Sequence, residues 1–268
     1  MNEYKAMGSV TLRLIDYVNN ATKKDINYEI AIIMLKKFNK IKKMNITEIS
    51  ELCYVSPATI SRFCRLMGFD NFNEFKKISN VNFSLQNDYS NRLLNSAQKD
   101  IKLAFEEYTN SLMKNMSYTL ENLEYENLDE VVKQIYSTEK VSFFGTQFLY
   151  SVGKHLQSRL MLTDKYIEAY SSYNKQLECA RNLDNKSLAI IISIEGSYFF
   201  KYMEIVEALK ENGVKIVVIT QNTNSKLASI ADSILVCGNS NSNNEGRDIA
   251  LYMIELLIFR YSTLYDKN

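Results

Sequence analysis

The stretch Asn45–Phe69, NITEISELCYVSPATISRFCRLMGF, restricts the fold more than any other, because it carries two helix-start signals in close succession. Asn45 followed by Glu48 has the spacing of a capping box, in which two side chains satisfy orphan backbone N–H groups of a first helical turn. Ile46, Ile49 and Cys53 then fall on one face. Ser56 supplies the second N-cap, and Pro57 takes the first helical position, where its missing N–H costs nothing. From there Ile60, Phe63, Cys64 and Met67 recur at the i, i+3, i+4, i+7 interval of a buried stripe, and Gly68 ends the helix. The spacing predicts two short helices joined by a tight turn.

The opposite face of the second helix carries Ala58, Thr59, Ser61, Arg62 and Arg65, with Ser56 and Pro57 at its start. Small side chains near a helix start allow close approach to base edges, and arginines reach guanine or phosphate. These seven residues are therefore the expected contacts to duplex DNA. An ordinary helical hairpin with solvated arginines would show the same caps, so the distribution of charge matters. The whole chain of 268 residues has a formal charge of only +1. Residues 1–80, however, hold 13 Lys and Arg against 8 Asp and Glu, leaving 19 against 23 for the remainder. The basic excess coincides with the helix pair and favours phosphate contacts there. Lys36, Lys37, Lys40, Lys42 and Lys43 add a basic run that is either a solvated face or a second set of phosphate contacts.

YVSPATISRFCRLMGFDNFNEFK resembles the signature of the RpiR family of bacterial transcription regulators, which reads VSxxT(I/V)xRF and then LGFx(G/N)FxE(F/L)K. The match runs without a gap from about Ile46 to Lys77. The resemblance implies a helix-turn-helix reader of operator DNA. One departure is Tyr54, at the turn position where the family has Gly; a residue other than Gly at positive φ costs roughly 1 kcal/mol.

The length suits two domains, and a 46% hydrophobic content is enough for real cores. No apolar run approaches the roughly 20 residues of a membrane span, and the N-terminus lacks the layout of a signal peptide, so the expectation is a cytoplasmic protein with no membrane partner. Cys53, Cys64, Cys179 and Cys237 are scattered within apolar patterns without a CxxC pair, and His155 is the only histidine. They read as buried small hydrophobes; neither a metal site nor a cofactor is expected.

Val10–Val18 and Tyr28–Phe38 have helical periodicity and should support the hairpin, with Asn71–Ile78 as a further helix. This gives a helix-turn-helix domain over 1–79, followed by a polar, partly helical linker over 80–100. Residues 101–268 form the second domain, opening with helices near Asp100–Met116 and Leu128–Tyr136. Short apolar runs at Lys140–Phe144, Tyr166–Ala169, Leu188–Ser193, Lys215–Thr220 and Ser233–Val236 then alternate with helical stretches at Leu149–Leu162, Lys175–Asn182, Phe199–Asn212, Ser225–Ile230 and Arg247–Tyr265. The fold class expected is thus two domains: an all-α helix-turn-helix domain and an α/β domain with a five-stranded parallel sheet flanked by helices.

Ligands of such sheets bind beyond the carboxyl ends of the strands, which points to Gly145–Ser151, Ser193–Tyr198 and Thr220–Ser225. Lys140 to about Ser262 resembles a SIS, or sugar isomerase, domain, most clearly in ENGVKIVVITQNTNSKLASIADSILV. That resemblance implies dimerisation, as homodimer or tetramer, and a sugar-derived effector at Gly145, Thr146, Gln147, Ser193, Glu195, Gly196, Ser197 and Thr220. The loops depart from the family. Its first reads roughly GxGxSS, where this chain has Gly145-Thr146-Gln147-Phe148-Leu149-Tyr150; its second reads SxSGxT, where this chain has Ser193-Ile194-Glu195-Gly196-Ser197-Tyr198. A carboxylate near a phosphate repels it by about 1 kcal/mol in water and more when partly buried.

Three readings stay open: a neutral or amine-bearing sugar held by Glu195, Gln147, Ser193 and Ser197; a phosphosugar in an altered pose; or a crevice filled by Phe148, Tyr150 and Tyr198 in a domain that only dimerises. The competing class is a sugar phosphate isomerase or lyase, which needs a positioned base. His155, Glu195 and Glu245 show no partner in the sequence, so no catalytic residue is assigned. An RNA-binding reading lacks an aromatic stacking platform.

Overall fold

The computed structural model describes residues 10–79, 88–224 and 229–266. The chain divides into two compact units at about residue 84. The first contains α1 (Val10–Asn20), α2 (Ile26–Lys36), α3 (Phe38–Ile41), α4 (Ile46–Leu52), α5 (Pro57–Leu66) and α6 (Phe72–Ser79). Its core is built from one stripe of each helix, including Leu14, Ile30, Met34, Ile49, Ile60, Phe63 and Phe75. The periodicity over Tyr28–Phe38 is interrupted, because Lys37 turns out of helical geometry (φ −123°, ψ 23°) and α3 begins anew. Lys76 closes that short helix: its ammonium donates to the carbonyls of Ile41 (3.1 Å) and Lys42 (2.6 Å). Burial lowers the Lys76 pKa from its ordinary value.

The second unit opens with α7 (Asn91–Lys99), α8 (Ile101–Glu121) and α9 (Tyr125–Ser137). Of the stretch expected as a linker, residues 80–87 lie outside the described residues, while Asn91–Lys99 is a helix packed along α8 and capped by Ser90, whose Oγ accepts from the Leu93 N–H (3.2 Å). Then follow β1 (Val141–Phe144), α10 (Phe148–Leu160), a 3-10 turn at Met161–Thr163, β2 (Glu168–Ala169), α11 (Tyr173–Asn182) and β3 (Leu188–Ile192). The chain continues through α12 (Tyr198–Lys201), α13 (Met203–Glu211), β4 (Lys215–Thr220), β5 (Ser233–Val236) and α14 (Gly246–Tyr265). The single helix expected over Phe199–Asn212 is two, because Tyr202 leaves helical geometry (φ −128°, ψ 44°). Of the helix expected over Ser225–Ile230, residues 225–228 lie outside the described residues.

All five strands pair in parallel in the order β2-β1-β3-β4-β5. Strands β1 and β3 are buried along their whole length, which is why they read as mostly apolar runs, broken only by Ser142, rather than alternating ones. The chain leaves β1 toward β2 on one side and returns to β3 on the other. The order therefore reverses between β1 and β3, and the crevice at their carboxyl ends is where such a sheet receives ligands.

Gly153 sets the distance between α10 and the sheet: a Cβ built there would lie 2.1 Å from the ring of Phe143. Gly153→Ala forces that buried ring or the helix to move and should destabilise the second unit by ~1–3 kcal/mol. Thermal unfolding checks this; an unchanged midpoint would show that the packing gives way freely.

Candidate nucleic-acid interface and ligand crevice

The α4–α5 pair is fixed by its caps. Asn45 Oδ1 accepts from the Glu48 N–H (3.0 Å), and Glu48 Oε2 accepts from the Asn45 N–H (2.6 Å), a completed capping box. At α5, Ser56 Oγ accepts from the Thr59 N–H (3.2 Å) and lies 2.9 Å from Thr59 Oγ1. Both helices end in the same motif. Val55 N–H donates to Ser50 O (2.9 Å) and Tyr54 N–H to Glu51 O (3.1 Å); likewise Phe69 N–H donates to Cys64 O (3.0 Å) and Gly68 N–H to Arg65 O (2.9 Å). These are Schellman caps, which need a left-handed residue at the central position. Gly68 supplies it at φ +80°, and Tyr54 supplies it at φ +54°.

One face of α5 is sealed: Ile60, Phe63, Cys64 and Met67 are each no more than 4% exposed. Ser56, Pro57, Ala58, Arg62 and Arg65 are exposed, with Thr59 and Ser61 half-buried beside them. Arg62 Nη2 donates to Thr59 Oγ1 (3.2 Å), which lays its guanidinium along the start of the helix. Arg13 plays another part. Its guanidinium sits 4.4 Å from the centre of the Phe69 ring and donates to Gly68 O (3.2 Å), so it closes the far end of α5. Lys36, Lys37, Lys40 and Lys43 are exposed, and Lys42 Nζ lies 5.1 Å from the Phe38 ring centre.

In the second unit, Gly145, Ser193 and Thr220 immediately follow or end β1, β3 and β4 and so share one end of the sheet. Gly145, Ser193, Gly196 and Thr220 are buried; Gln147, Glu195 and Ser197 are exposed; Thr146 is half-buried. Two of the expected hydroxyls bind backbone. Ser193 Oγ accepts from the Tyr198 N–H (3.1 Å), and Thr220 Oγ1 donates to Ile194 O (3.0 Å) while accepting from the Asn222 N–H (3.0 Å). Glu195 Oε1 accepts from Asn241 Nδ2 (3.0 Å), and its backbone carbonyl from Asn222 Nδ2 (3.1 Å). Glu195 borders an open cleft of about 460 Å³ with Ile194, Gln221, Asn222, Thr223 and Asn224. Gln147 holds an unusual backbone (φ 54°, ψ −124°) at the start of α10.

Beneath the loops lies a buried chain of hydrogen bonds. The Tyr198 phenol donates to Gln176 Oε1 (2.6 Å), and Gln176 Nε2 donates to Gly145 O (2.8 Å) and Tyr170 O (2.6 Å). Tyr198 is 3% exposed and Gln176 0%, whereas Phe148 is 43% exposed and Tyr150 half-buried. Gln176 was not identified from the sequence, where a polar residue on a helical stretch carries no mark of burial.

A second network also escaped the sequence. Asn115 Oδ1 accepts from the N–H groups of Asn239 (2.9 Å) and Ser240 (3.1 Å), and Thr119 Oγ1 accepts from the Gly238 N–H (2.9 Å). Glu245, one of the bases considered above, accepts from Ser111 Oγ (2.6 Å) and from Asn243 through backbone and side chain (2.8 and 3.0 Å). Burial acts to raise its pKa, but these bonds outweigh burial and hold the carboxyl below its ordinary value. His155 lies 2.6 Å from Glu255 across α10 and α14. Among the described residues no group of three or more His, Cys, Asp or Glu is placed to hold a metal, and no helix is long and apolar enough to cross a membrane. All four cysteines are free and buried.

A family model described as "Helix-turn-helix domain, rpiR family" matches residues 13–87, and one described as "SIS domain" matches residues 134–245. An uncharacterized HTH-type transcriptional regulator of Haemophilus influenzae is 24% identical over 86% of this chain and 81% of its own length. The HTH-type transcriptional regulator RpiR of Escherichia coli is 23% identical over 84% and 75%. Among solved structures, the NanR protein of Vibrio vulnificus, complexed with ManNAc-6P, covers 96% of this chain and 92% of its own with a TM-score of 0.53 and 18% identity. With its capped helix pair in the one unit and its parallel sheet in the other, this chain belongs to the rpiR family of HTH-type transcriptional regulators that carry a SIS domain.

Proposed function

We propose that the protein is a cytoplasmic transcriptional regulator that binds a duplex operator as a homodimer or tetramer through α5, and that its SIS domain takes a sugar-derived effector. The observation that carries the DNA reading is the division of α5 into two faces. With Ile60, Phe63 and Cys64 sealed in the core, Arg62 and Arg65 and the small residues Ser56 and Ala58 are left at the surface. A dimer would place two such helices about one helical turn of DNA apart, or a multiple of it.

For the effector, contacts fall to the crevice residues Gly145, Thr146, Gln147, Glu195, Gly196 and Ser197, while Ser193 and Thr220 hold the loops that shape it. The NanR relative was solved with a sugar phosphate, which supports a sugar-derived class. Glu195 at the rim, with the carboxamides of Gln221, Asn222 and Asn224 around the cleft, favours a neutral or amine-bearing sugar over a phosphorylated one. The buried Tyr198–Gln176 pair favours a second reading, in which the domain serves as a dimer scaffold. Relatives named as transcriptional regulators support a role without catalysis. The effector would act by shifting the spacing or mobility of the paired DNA-binding units.

Two outcomes follow. On duplexes selected from a random pool by the native protein, Arg62→Ala should weaken binding by ~1–3 kcal/mol if the guanidinium pairs with a base; equal affinity in an anisotropy titration would remove that role. In a thermal-shift panel of neutral, amino and phosphorylated sugars, one without phosphate should stabilise the protein, by about 2.7 kcal/mol at a hundredfold excess over Kd. Glu195→Ala should abolish that shift, and a flat response to the whole panel would favour the scaffold.

A further inference from the structure

Tyr54 is 92% exposed, more than any other large apolar side chain among the described residues, and its backbone is left-handed at φ +54°. Its place in the fold is shared by one other residue of the same unit. Tyr54 and Gly68 are the central residues of two Schellman caps with the same pair of hydrogen bonds, one ending α4 and the other α5. At position 68 the chain uses glycine, the residue that accepts a left-handed backbone freely, and buries it. At position 54 it uses a residue with a Cβ, for which that backbone is disfavoured. The ring adds no compensating packing, and the phenol makes no side-chain hydrogen bond among the described residues. Stability of the domain therefore gives no reason for the tyrosine. Strained backbone that folding does not need is found where a side chain is held out for contact.

What Tyr54 is held beside is the start of α5. The next residue, Val55, packs against the core and pins the turn, and Ser56, Pro57 and Ala58 follow as an exposed run of small side chains. We infer that Tyr54 is a positioning residue for duplex DNA: its phenol donates to a phosphate oxygen, and its ring lies against the adjoining sugar, at the edge of the groove that α5 enters. Tyrosine hydroxyls are among the side chains that bind phosphate oxygens, and such contacts fix register rather than sequence. A neutral donor also leaves the counterion count unchanged, unlike a lysine.

The inference rests on the DNA reading above, and the test separates the two. The full-length native protein selects duplexes from a random pool, and phosphate ethylation interference maps its backbone contacts on a selected site. Tyr54→Phe keeps the ring and should bind roughly 2- to 10-fold more weakly, the size of one net hydrogen bond, with an unchanged salt slope. Tyr54→Gly should lose more affinity while melting no lower than Tyr54→Phe, since glycine suits the left-handed backbone. At one or two phosphates per half-site, ethylation should block the native protein but not Tyr54→Phe. Selected sites bound equally well by Tyr54→Gly and native protein, with identical interference patterns, would overturn the inference and leave the reading of α5 standing. A changed oligomeric state with unaltered DNA affinity would overturn it in favour of a protein contact. A native protein that selects no duplex would overturn both.

Discussion

A helix of ten residues cannot present every side to a partner and also hold a domain together. In α5 the division is made by three side chains, Ile60, Phe63 and Cys64, that are at most 1% exposed. Their burial fixes the rotation of the helix, and everything on the other side follows from it. The Ser56 cap sets where the helix begins, and the Schellman cap at Gly68, with the Arg13 guanidinium on its carbonyls, sets where it ends. Among the described residues, none of the five other helices that feed this core carries an exposed arginine.

The second unit solves a different problem. The central strands β1 and β3 of its sheet are buried throughout, and the loops at the carboxyl ends carry the polar residues Thr146, Gln147, Ser193, Glu195 and Ser197, where backbone turns from strand to helix. Much of the polar chemistry there is spent on holding loops. Ser193 accepts the first N–H of α12, Thr220 ties the β3 and β4 loops together, and Gln176 joins the first loop to Tyr198. Exposed at that end of the sheet are Gln147, Glu195 and Ser197, with Thr146 half-buried. For the effector proposed above, such groups favour hydroxyls and amines over dianions.

The elements that could be read from the sequence are those in which local pattern and burial agree. Leu188–Ile192 is an unbroken apolar run, and Val141–Phe144 is apolar but for Ser142, because both faces of the sheet are covered there; Asn45, Ser56 and Pro57 announce helix starts by mechanisms that need no tertiary partner. The breaks at Lys37 and Tyr202 were not legible, since neither residue carries a helix-stop signal and the chain turns there within an otherwise helical pattern. The buried polar residues were not legible for a plainer reason. Asn115 and Thr119 bind backbone more than a hundred residues away in sequence, and Gln176 sits on a helix where Lys175, Glu178, Arg181 and Asn182 are exposed. At the candidate sites, residue identity located the loops correctly at one end of the sheet, but the direction of each hydroxyl depended on partners that only the folded chain supplies.

The central claim is that the exposed face of α5 is where duplex DNA is held. Amide hydrogen exchange of the full-length protein, with and without a duplex it has selected from a random pool, tests it most directly. The account predicts added protection concentrated in the turn at residues 53–56 and the first two turns of α5, with the sheet loops at 145–151 and 193–198 unchanged by DNA alone. Protection confined to other helices, with α5 exchanging as it does in the free protein, would contradict it.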